Sequence, residues 1–338
     1  MNGTAKLPQK KSSVVLLVNW SNGEVMTAVR DAFGQALLDL GRENKDVVVL
    51  DADLASSTRA SFFAKEYPDR FFQMGIAEQN MMGVAAGLAL MGKIPFVTTF
   101  AVFASKRTCD QVTISVAYPN LNVKIIGAYT GLLSGCTGAT HQAIEDIAIM
   151  RAIPNMVVVD PADAEEMRQA IKVIARHHGP VYLRETRDEW PDIFGNDYKF
   201  EIGKSSVVRE GSDAVIIACG VMTSESLQAA EMLAKEGISV RVINMSTIKP
   251  IDAKAIVESA NKTGAVVTAE NHNIYGGLGS AVAEVLGEEA PTFMARVGIR
   301  DVFGESGSNT ELLEKYNMNA KYIAEAVRGV LESKFSSH

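Results

Sequence analysis

Cysteine is scarce in this sequence, and its spacing excludes two common kinds of site. The three cysteines, Cys109, Cys136 and Cys219, lie far apart, and no CxxC pair occurs. Scattered cysteines in odd number are typical of a reducing compartment and provide neither a disulfide framework nor a thiolate zinc site. We therefore expect a cytoplasmic protein without a cysteine-bound metal.

An excess of positive charge is also missing. The formal net charge is −7 at pH 7, which predicts neither a nucleic-acid-binding surface nor one that binds an anionic membrane. The apolar run VVLLV near the N-terminus is too short for a signal peptide, and no stretch approaches the length needed to span a bilayer. A few local arginines could still bind a small anion.

Several well-known phosphate and catalytic motifs are absent. The sequence has no Walker A loop, no GxGxxG fingerprint, no HExxH and no GxSxG. The run GGLGS at 276–280 opens a predicted helix after a strand, where free backbone amides could hold an anion. A tight strand-to-helix turn explains the same residues, and both interpretations stay open at this point.

The most informative stretch present is 71–103, FFQMGIAEQNMMGVAAGLALMGKIPFVTTFAVF. A short strand breaks at Gly75 and is followed by a helix of small residues that begins near Glu78. A second strand, 96–99, ends at Phe100 and Phe103. Because ligands bind at the carboxyl ends of strands in open α/β sheets, this stretch predicts one carboxylate and two rings at a binding edge.

The remaining pattern predicts the fold. Alternating βα units with continuous apolar strands predict a mostly parallel sheet with helices on both faces. Two such series and a length of 338 residues predict two doubly wound α/β domains. The predicted divisions are an N-terminal tail at 1–23, a first domain at 24–187, a linker at 188–203 and a smaller second domain at 204–335.

Two helices in the first domain are predicted from local signals. A capping box at Ser21–Glu24 precedes apolar residues at helical spacing, and Gly41 ends that helix; the apolar residues are Met26, Val29, Phe33, Leu37 and Leu40. A second helix is predicted from Phe103 to about Ala117.

Taken singly, the polar residues of the first domain have two interpretations. Glu78 in the first turn of a helix is favoured by the helix dipole, and it is also what an ordinary cap looks like. His141 follows the glycine-rich loop 129–140, where it could act as a proton carrier or a hydrogen-bond donor, or simply follow a capping loop. Arg30, Ser57 and Arg187 individually read as surface residues.

Four segments together resemble the transketolase family. They are GIAEQNMMGVAAGLA, TTFAVFASKRTCDQV, GATHQAIEDIAIMRAIPNMVVVDPADAEEM and VTAENHNIYGGLGSAVAE. The first three resemble the pyrimidine-binding domain and the last resembles the C-terminal domain, so that the likeness covers about residues 24–335. The family's diphosphate-binding domain, with its GDG…N metal motif, would precede residue 24, and no GDG occurs here. The resemblance therefore implies the C-terminal subunit of a split transketolase.

The resemblance implies a role for each candidate residue with thiamine diphosphate as cofactor. Glu78 aligns with the catalytic glutamate that hydrogen-bonds the aminopyrimidine ring. Phe103 aligns with the ring that stacks on the pyrimidine, Phe100 with a second wall, and Asp53 with an aspartate near the cofactor. Mg²⁺ and the diphosphate would be held by a partner subunit of the N-terminal type, in an α2β2 assembly.

The same resemblance implies a sugar-phosphate site. Arg30, Ser57 and Arg187 align with residues that hold the phosphate, and His141 aligns with a catalytic histidine that contacts the substrate hydroxyls and carbonyl end. Two further substrate-binding positions depart from the family pattern. Tyr129 stands where many transketolases have histidine, and Thr137 stands where they have an aspartate that reads a sugar hydroxyl.

The resemblance thus implies ketol transfer from a ketose phosphate to an aldose phosphate. Three alternatives stay open. One is a 1-deoxyxylulose-5-phosphate synthase-like enzyme or a transketolase for an unusual ketose. Another is the β subunit of a 2-oxoacid dehydrogenase decarboxylating component, against which THQAIED and the arginines count. The last is a non-catalytic module that uses the GGLGS turn as an anion site.

Overall fold

The computed structural model describes residues 26–195 and 197–336. The predicted tail, 1–23, and the capping box at Ser21–Glu24 lie outside the described residues. The strands are β1 Met26–Ala28, β2 Val47–Asp51, β3 Phe71–Gln73, β4 Ile94–Phe100, β5 Lys124–Ala128, β6 Val157–Val159, β7 Val181–Glu185, β8 Glu189–Pro191, β9 Ser206–Arg209, β10 Ala214–Ala218, β11 Val240–Asn244, β12 Thr247–Lys249, β13 Ala265–Asn273 and β14 Phe293–Ile299.

Helices separate most of these strands. They are α1 Val29–Glu43, α2 Ser61–Glu66, α3 Glu78–Leu90, α4 Asp146–Ala152, α5 Ala164–Arg176, α6 Met222–Ala234, α7 Ala253–Thr263, α8 Leu278–Glu289, α9 Asn309–Lys315 and α10 Ala320–Ser336. Short 3₁₀ turns occur at Pro68–Arg70 and Gly135–Thr137, and π-helical turns occur at Phe103–Arg107 and Gln111–Ala117. Over the described ranges, no helix is both long and apolar enough to cross a bilayer.

Two mostly parallel sheets form the two α/β layers, which confirms the predicted fold class. The first has the order β12-β6-β7-β5-β4-β2-β3, and only its edge strand β12 runs antiparallel. The second has the order β14-β13-β10-β11-β9, with β9 antiparallel. Helices pack on both faces, and this burial of apolar strands on both sides is what the continuous apolar runs predicted.

The predicted start of the first helix is wrong. Met26 belongs to β1, which pairs antiparallel with β8 and places Thr27 opposite Trp190. The hydroxyl of Thr27 also donates to Asp192 Oδ2 at 3.0 Å. These contacts with a distant segment outweigh the local helical spacing, so α1 begins at Val29. They also place a strand inside the segment that was predicted to be an irregular linker.

The predicted end of the same helix is also wrong. Gly41 lies inside α1, which continues to Glu43. A Cβ at this position would lie 2.5 Å from the Phe63 ring and 2.7 Å from the Tyr67 ring. Glycine is present because α2 and the turn after it pack closely against α1, and not because the helix stops there.

Other departures come from the tertiary arrangement. The predicted helix 103–117 is present, but Phe103–Arg107 and Gln111–Ala117 are π-helical and Thr108 interrupts the helix. The short strand Thr247–Lys249, from the second half of the chain, pairs with β6 at the edge of the first sheet. The two halves therefore share a sheet as well as a surface.

Candidate active site at the edge of the first sheet

The candidate site lies where the strands of the first sheet end. Register places Phe100 of β4 beside Ala128 of β5, and Ala128 beside Glu185 of β7. The carboxyl ends of these parallel strands therefore meet, and the side chains that follow them converge at a single edge.

An aromatic cluster occupies this edge. The rings of Phe100 and Tyr129 stack with their centroids 4.5 Å apart, and Phe103 lies 6.2 Å from Phe100. His141 meets Phe103 edge-on at 5.5 Å and Phe100 at 6.0 Å. Four of the residues predicted to form the site are thus brought together from three separate segments.

Glu78 reaches the same cluster from the first turn of α3. Its side chain is only 2% exposed, and its Oε1 accepts a hydrogen bond from Arg107 Nη1 at 2.7 Å. The Arg107 guanidinium carbon lies 4.3 Å from the centroid of the Phe103 ring. A buried carboxylate is therefore linked to the aromatic cluster through one arginine.

Cationic side chains line the other side of Tyr129. Arg30 Nη1 donates to the Tyr129 hydroxyl at 3.0 Å, and that hydroxyl donates to the Ser57 carbonyl at 3.5 Å. The Arg187 guanidinium lies 5.2 Å from the Tyr129 ring. These four residues meet although they come from α1, the loop after β2, the loop after β5 and the segment after β7. Two arginines in one place suit an anionic group.

Tyr129 itself has an unusual backbone. Its φ is +61°, a conformation that costs a bulky residue of the order of 1–3 kcal/mol. Its amide donates to the Glu185 carbonyl at 2.8 Å, which fixes the turn. The turn places the ring between Phe100 and the arginines.

Thr137 and Asp53 are placed less directly. Thr137 donates to the Ser134 hydroxyl at 2.6 Å, and the Ser134 carbonyl accepts from Arg187 Nη1 at 3.4 Å. Asp53 is exposed on the loop after β2, with φ +63° and its amide donating to Gln73 Oε1. Within the described ranges, Asp53 makes no hydrogen bond or ring contact with the aromatic cluster.

Two charged neighbours were not singled out from the sequence. Arg107 lies within TTFAVFASKRTCDQV, one of the segments that resemble the family, but no role was assigned to it. Glu185 ends the strand VYLRE, and a charged residue at the end of a buried strand could have indicated a functional site. Glu185 is fully buried, and neither carboxylate oxygen has a hydrogen-bond partner in the described part of the chain. Burial raises the pKa of Glu185 well above its usual value, while the nearby Arg30 and Arg59 act in the opposite direction.

The glycine-rich turn before α8 is filled by the chain's own carboxylate. Glu270 accepts from the amides of Leu278 at 2.7 Å and Gly279 at 2.8 Å. A Cβ at Gly277 would lie 2.0 Å from Glu270 Oε2. The turn thus binds a side chain of its own domain, and this counts against its use as an external anion site.

Comparisons with known proteins identify the family of this chain. The family description "Transketolase, pyrimidine binding domain" matches residues 25–192, and "Transketolase, C-terminal domain" matches residues 203–323. The chain belongs to the transketolase family. The resemblance predicted from the sequence is thereby confirmed.

Several relatives match along nearly their whole length. A 6-deoxy-6-sulfo-D-fructose transketolase subunit from a Clostridium species is 48% identical, over 90% of this chain and 95% of the relative. An apulose-4-phosphate transketolase subunit from Phocaeicola vulgatus is 40% identical, over 88% and 96%. A solved split-gene transketolase, an inactive β4 tetramer, superposes with a TM-score of 0.85 at 54% identity, covering 90% of this chain and 98% of that one.

Proposed function

We propose that this chain is the C-terminal subunit of a split, thiamine-diphosphate-dependent transketolase. It would transfer a two-carbon ketol unit from a ketose phosphate to an aldose phosphate. The observation that carries the proposal is the convergence of Glu78, the Phe100–Phe103 pair, His141 and the Arg30–Tyr129–Arg187 group at one sheet edge. The relatives named as transketolase subunits support the same assignment.

The residues at this edge fit the aminopyrimidine half of the cofactor. Glu78 is a nearly buried carboxylate that would accept a hydrogen bond from the ring, and Phe103 offers a face for stacking with Phe100 as the second wall. When bound, the cofactor supplies an electron sink for the carbanion formed during ketol transfer. In a site closed to water, the Glu78 carboxylate would favour protonation of a ring nitrogen placed against it. Asp53 would lie at the outer rim.

The arginine group fits the anionic end of the substrate. Arg30 and Arg187 would each donate to a phosphate oxygen, with the Ser57 segment completing the site. His141 stands edge-on to both phenylalanine rings, where it would orient the carbonyl end and exchange a proton with a substrate oxygen. The arrangement separates the reacting end from the charged end.

Tyr129 and Thr137 are the positions at which the ketose specificity of this chain would differ from that of many family members. Tyr129 offers a hydroxyl and a ring where many family members have histidine. Thr137 offers no charged acceptor for a sugar hydroxyl. The relatives named for sulfofructose and for apulose phosphate are consistent with substrate variety at this subsite.

A partner subunit would hold Mg²⁺ and the diphosphate. Over the described residues, no group of His, Cys, Asp and Glu side chains is arranged to hold a metal ion. Large apolar side chains are exposed around α3 and the π-helical turns, as a docking surface requires; they are Ile76, Leu90, Met91, Ile114 and Tyr118. We infer docking of an N-terminal-type subunit on this surface, in an α2β2 assembly in the cytoplasm.

The test is ketol transfer from xylulose 5-phosphate to ribose 5-phosphate with thiamine diphosphate and Mg²⁺. The chain is assayed alone and then with an N-terminal-type transketolase chain from the same genome. Activity only in the mixture supports the proposal. A complex that binds the cofactor but does not use this pair points to another ketose, and one that oxidatively decarboxylates 2-oxoacids points to the dehydrogenase alternative.

Glu78→Gln tests the cofactor assignment within that complex. The neutral amide of glutamine cannot stabilise a protonated ring nitrogen as the carboxylate would, so we expect turnover to fall by at least about 100-fold. Full turnover by an intact complex would contradict the assigned role.

Arg187→Ala tests the phosphate assignment. We expect KM for phosphorylated donors to rise about tenfold or more, because one charge-assisted hydrogen bond is lost. KM for unphosphorylated donors should change little. An equal loss on both kinds of donor would remove the assignment.

A further inference from the structure

Arg107 lies between the two groups that the proposed function assigns to the pyrimidine ring. Its Nη1 donates to Glu78 Oε1 at 2.7 Å, and its guanidinium carbon lies 4.3 Å from the Phe103 ring centroid. One planar cation thus serves as the hydrogen-bond donor to the buried carboxylate and covers the face of the ring.

A guanidinium group and a protonated aminopyrimidine are bound by the same kinds of contact. Both are planar, both donate N–H hydrogen bonds in their plane, and both stack on an aromatic face. Glu78 is 2% exposed, and a buried carboxylate without a partner is costly. Arg107 removes that cost while it covers the place where a ring would stack.

We propose that Arg107 is a displaceable internal substitute for the aminopyrimidine ring of the cofactor. It pairs with Glu78 and covers Phe103 until the ring takes its place, when the guanidinium moves away from Glu78. This inference rests on the proposed function, which assigns Glu78 and Phe103 to that ring.

The local structure is suited to such a displacement. The Arg107 side chain is 44% exposed, so that solvent already reaches one side of it. It is the last residue of the π-helical turn Phe103–Arg107, and the following Thr108 departs from helical geometry, with φ −106° and ψ 8°. The neighbouring Lys106 is about equally exposed, at 41%, and forms an ion pair with Glu145 instead. Lys106 is therefore a matched control for charge and position.

The test is the affinity for thiamine diphosphate of the complex with the N-terminal-type chain, measured by isothermal titration calorimetry in the presence of Mg²⁺. In Arg107→Ala the cofactor no longer competes with the guanidinium, and Glu78 starts without a partner. We expect Kd to fall about tenfold, because this is the change in Kd that corresponds to the free energy of one charge-assisted hydrogen bond. Lys106→Ala should leave Kd unchanged, since it removes a charge without opening the site.

Adding back a small guanidinium compound to the Arg107→Ala variant gives a second measurement. Methylguanidinium at millimolar concentration should weaken cofactor binding to Arg107→Ala and leave the wild-type complex unaffected. Arg107→Lys, which retains the cation without the planar group, should bind the cofactor with a Kd between those of the wild type and Arg107→Ala.

The outcomes separate the two proposals. The proposal that Arg107 takes the place of the ring would be overturned if the Kd of Arg107→Ala equals or exceeds the wild-type value while the Kd of Lys106→Ala is unchanged. Arg107 would then be a residue that supports the site when the cofactor is bound. In that event the proposed function would stand, because the wild-type complex binds the cofactor. Failure of the wild-type complex to bind thiamine diphosphate would overturn the proposed function and this inference with it.

Discussion

Replacing Arg184 by methionine should remove a large part of the stability of this protein. Arg184 is 1% exposed at the end of β7, three residues before Arg187. Its guanidinium donates to Asp146 Oδ2 at 2.9 Å and Oδ1 at 3.2 Å, and to Asp160 Oδ2 at 2.8 Å. A further bond at 3.0 Å reaches the Asn271 carbonyl in the second half of the chain.

The magnitude follows from what the substitution leaves behind. Methionine fills similar apolar volume, but two nearly fully buried carboxylates lose their counter-ion. Breaking a buried ion pair by removing one partner costs roughly 3–5 kcal/mol, and here the loss should be near the upper end. The total stability of a typical protein is about 5–15 kcal/mol. We therefore expect a large fall in the urea midpoint at pH 7.5.

Two controls decide the interpretation. Arg168→Met removes a half-exposed pair with Glu165 and should cost at most about 0.5 kcal/mol. Arg184→Met combined with leucine at both aspartates should recover much of the loss, because well-packed apolar residues often replace a buried ion cluster without cost. A single variant Arg184→Met within about 1 kcal/mol of wild type would refute the reasoning.

Two further predictions concern buried titrating groups elsewhere. Burial lowers the pKa of Lys124 to about 7, although its Nζ donates to the carbonyls of His177 and Gly179. Between pH 7 and about 10.4 the unfolded chain therefore binds more protons than the folded protein, so that this residue should make the free energy of unfolding rise with pH. Lys124→Met should flatten that rise. Burial raises the pKa of Glu166 to about 7 despite the bond from the Tyr198 hydroxyl, so its contribution to stability should decrease as pH rises from about 4.3 to 7. Glu166→Gln should abolish that slope in urea titrations across this range, and an unchanged slope would contradict the assignment.

Much of the fold was predictable because it depends on local pattern. Continuous apolar runs such as 47–51 and 181–185 are buried on both faces of a sheet, and helices of the expected length separate them. Order and type of the elements follow from that repetition. Three segments that resemble the family also assign Glu78, Phe103 and His141 to one site.

The errors came where distant partners override local preference. Met26 has helical spacing, yet it pairs with Pro191 as a strand. Glycine is common at helix ends, yet Gly41 lies inside α1, where the absence of a side chain allows Phe63 to pack closely. Neither outcome is encoded within ten residues of the position concerned.

The α/β class, the order of the βα units and the family to which the chain belongs follow from the sequence, because they depend on hydrophobic period and motif identity. The tertiary structure alone decided that Arg107 lies between Glu78 and Phe103, that Glu185 is buried near Arg30, and that residues 247–249 complete the edge of the first sheet. The physical reason is that a side chain's charge partner and burial are set by segments far away in the chain. A local pattern records only which face of its own helix or strand a residue occupies.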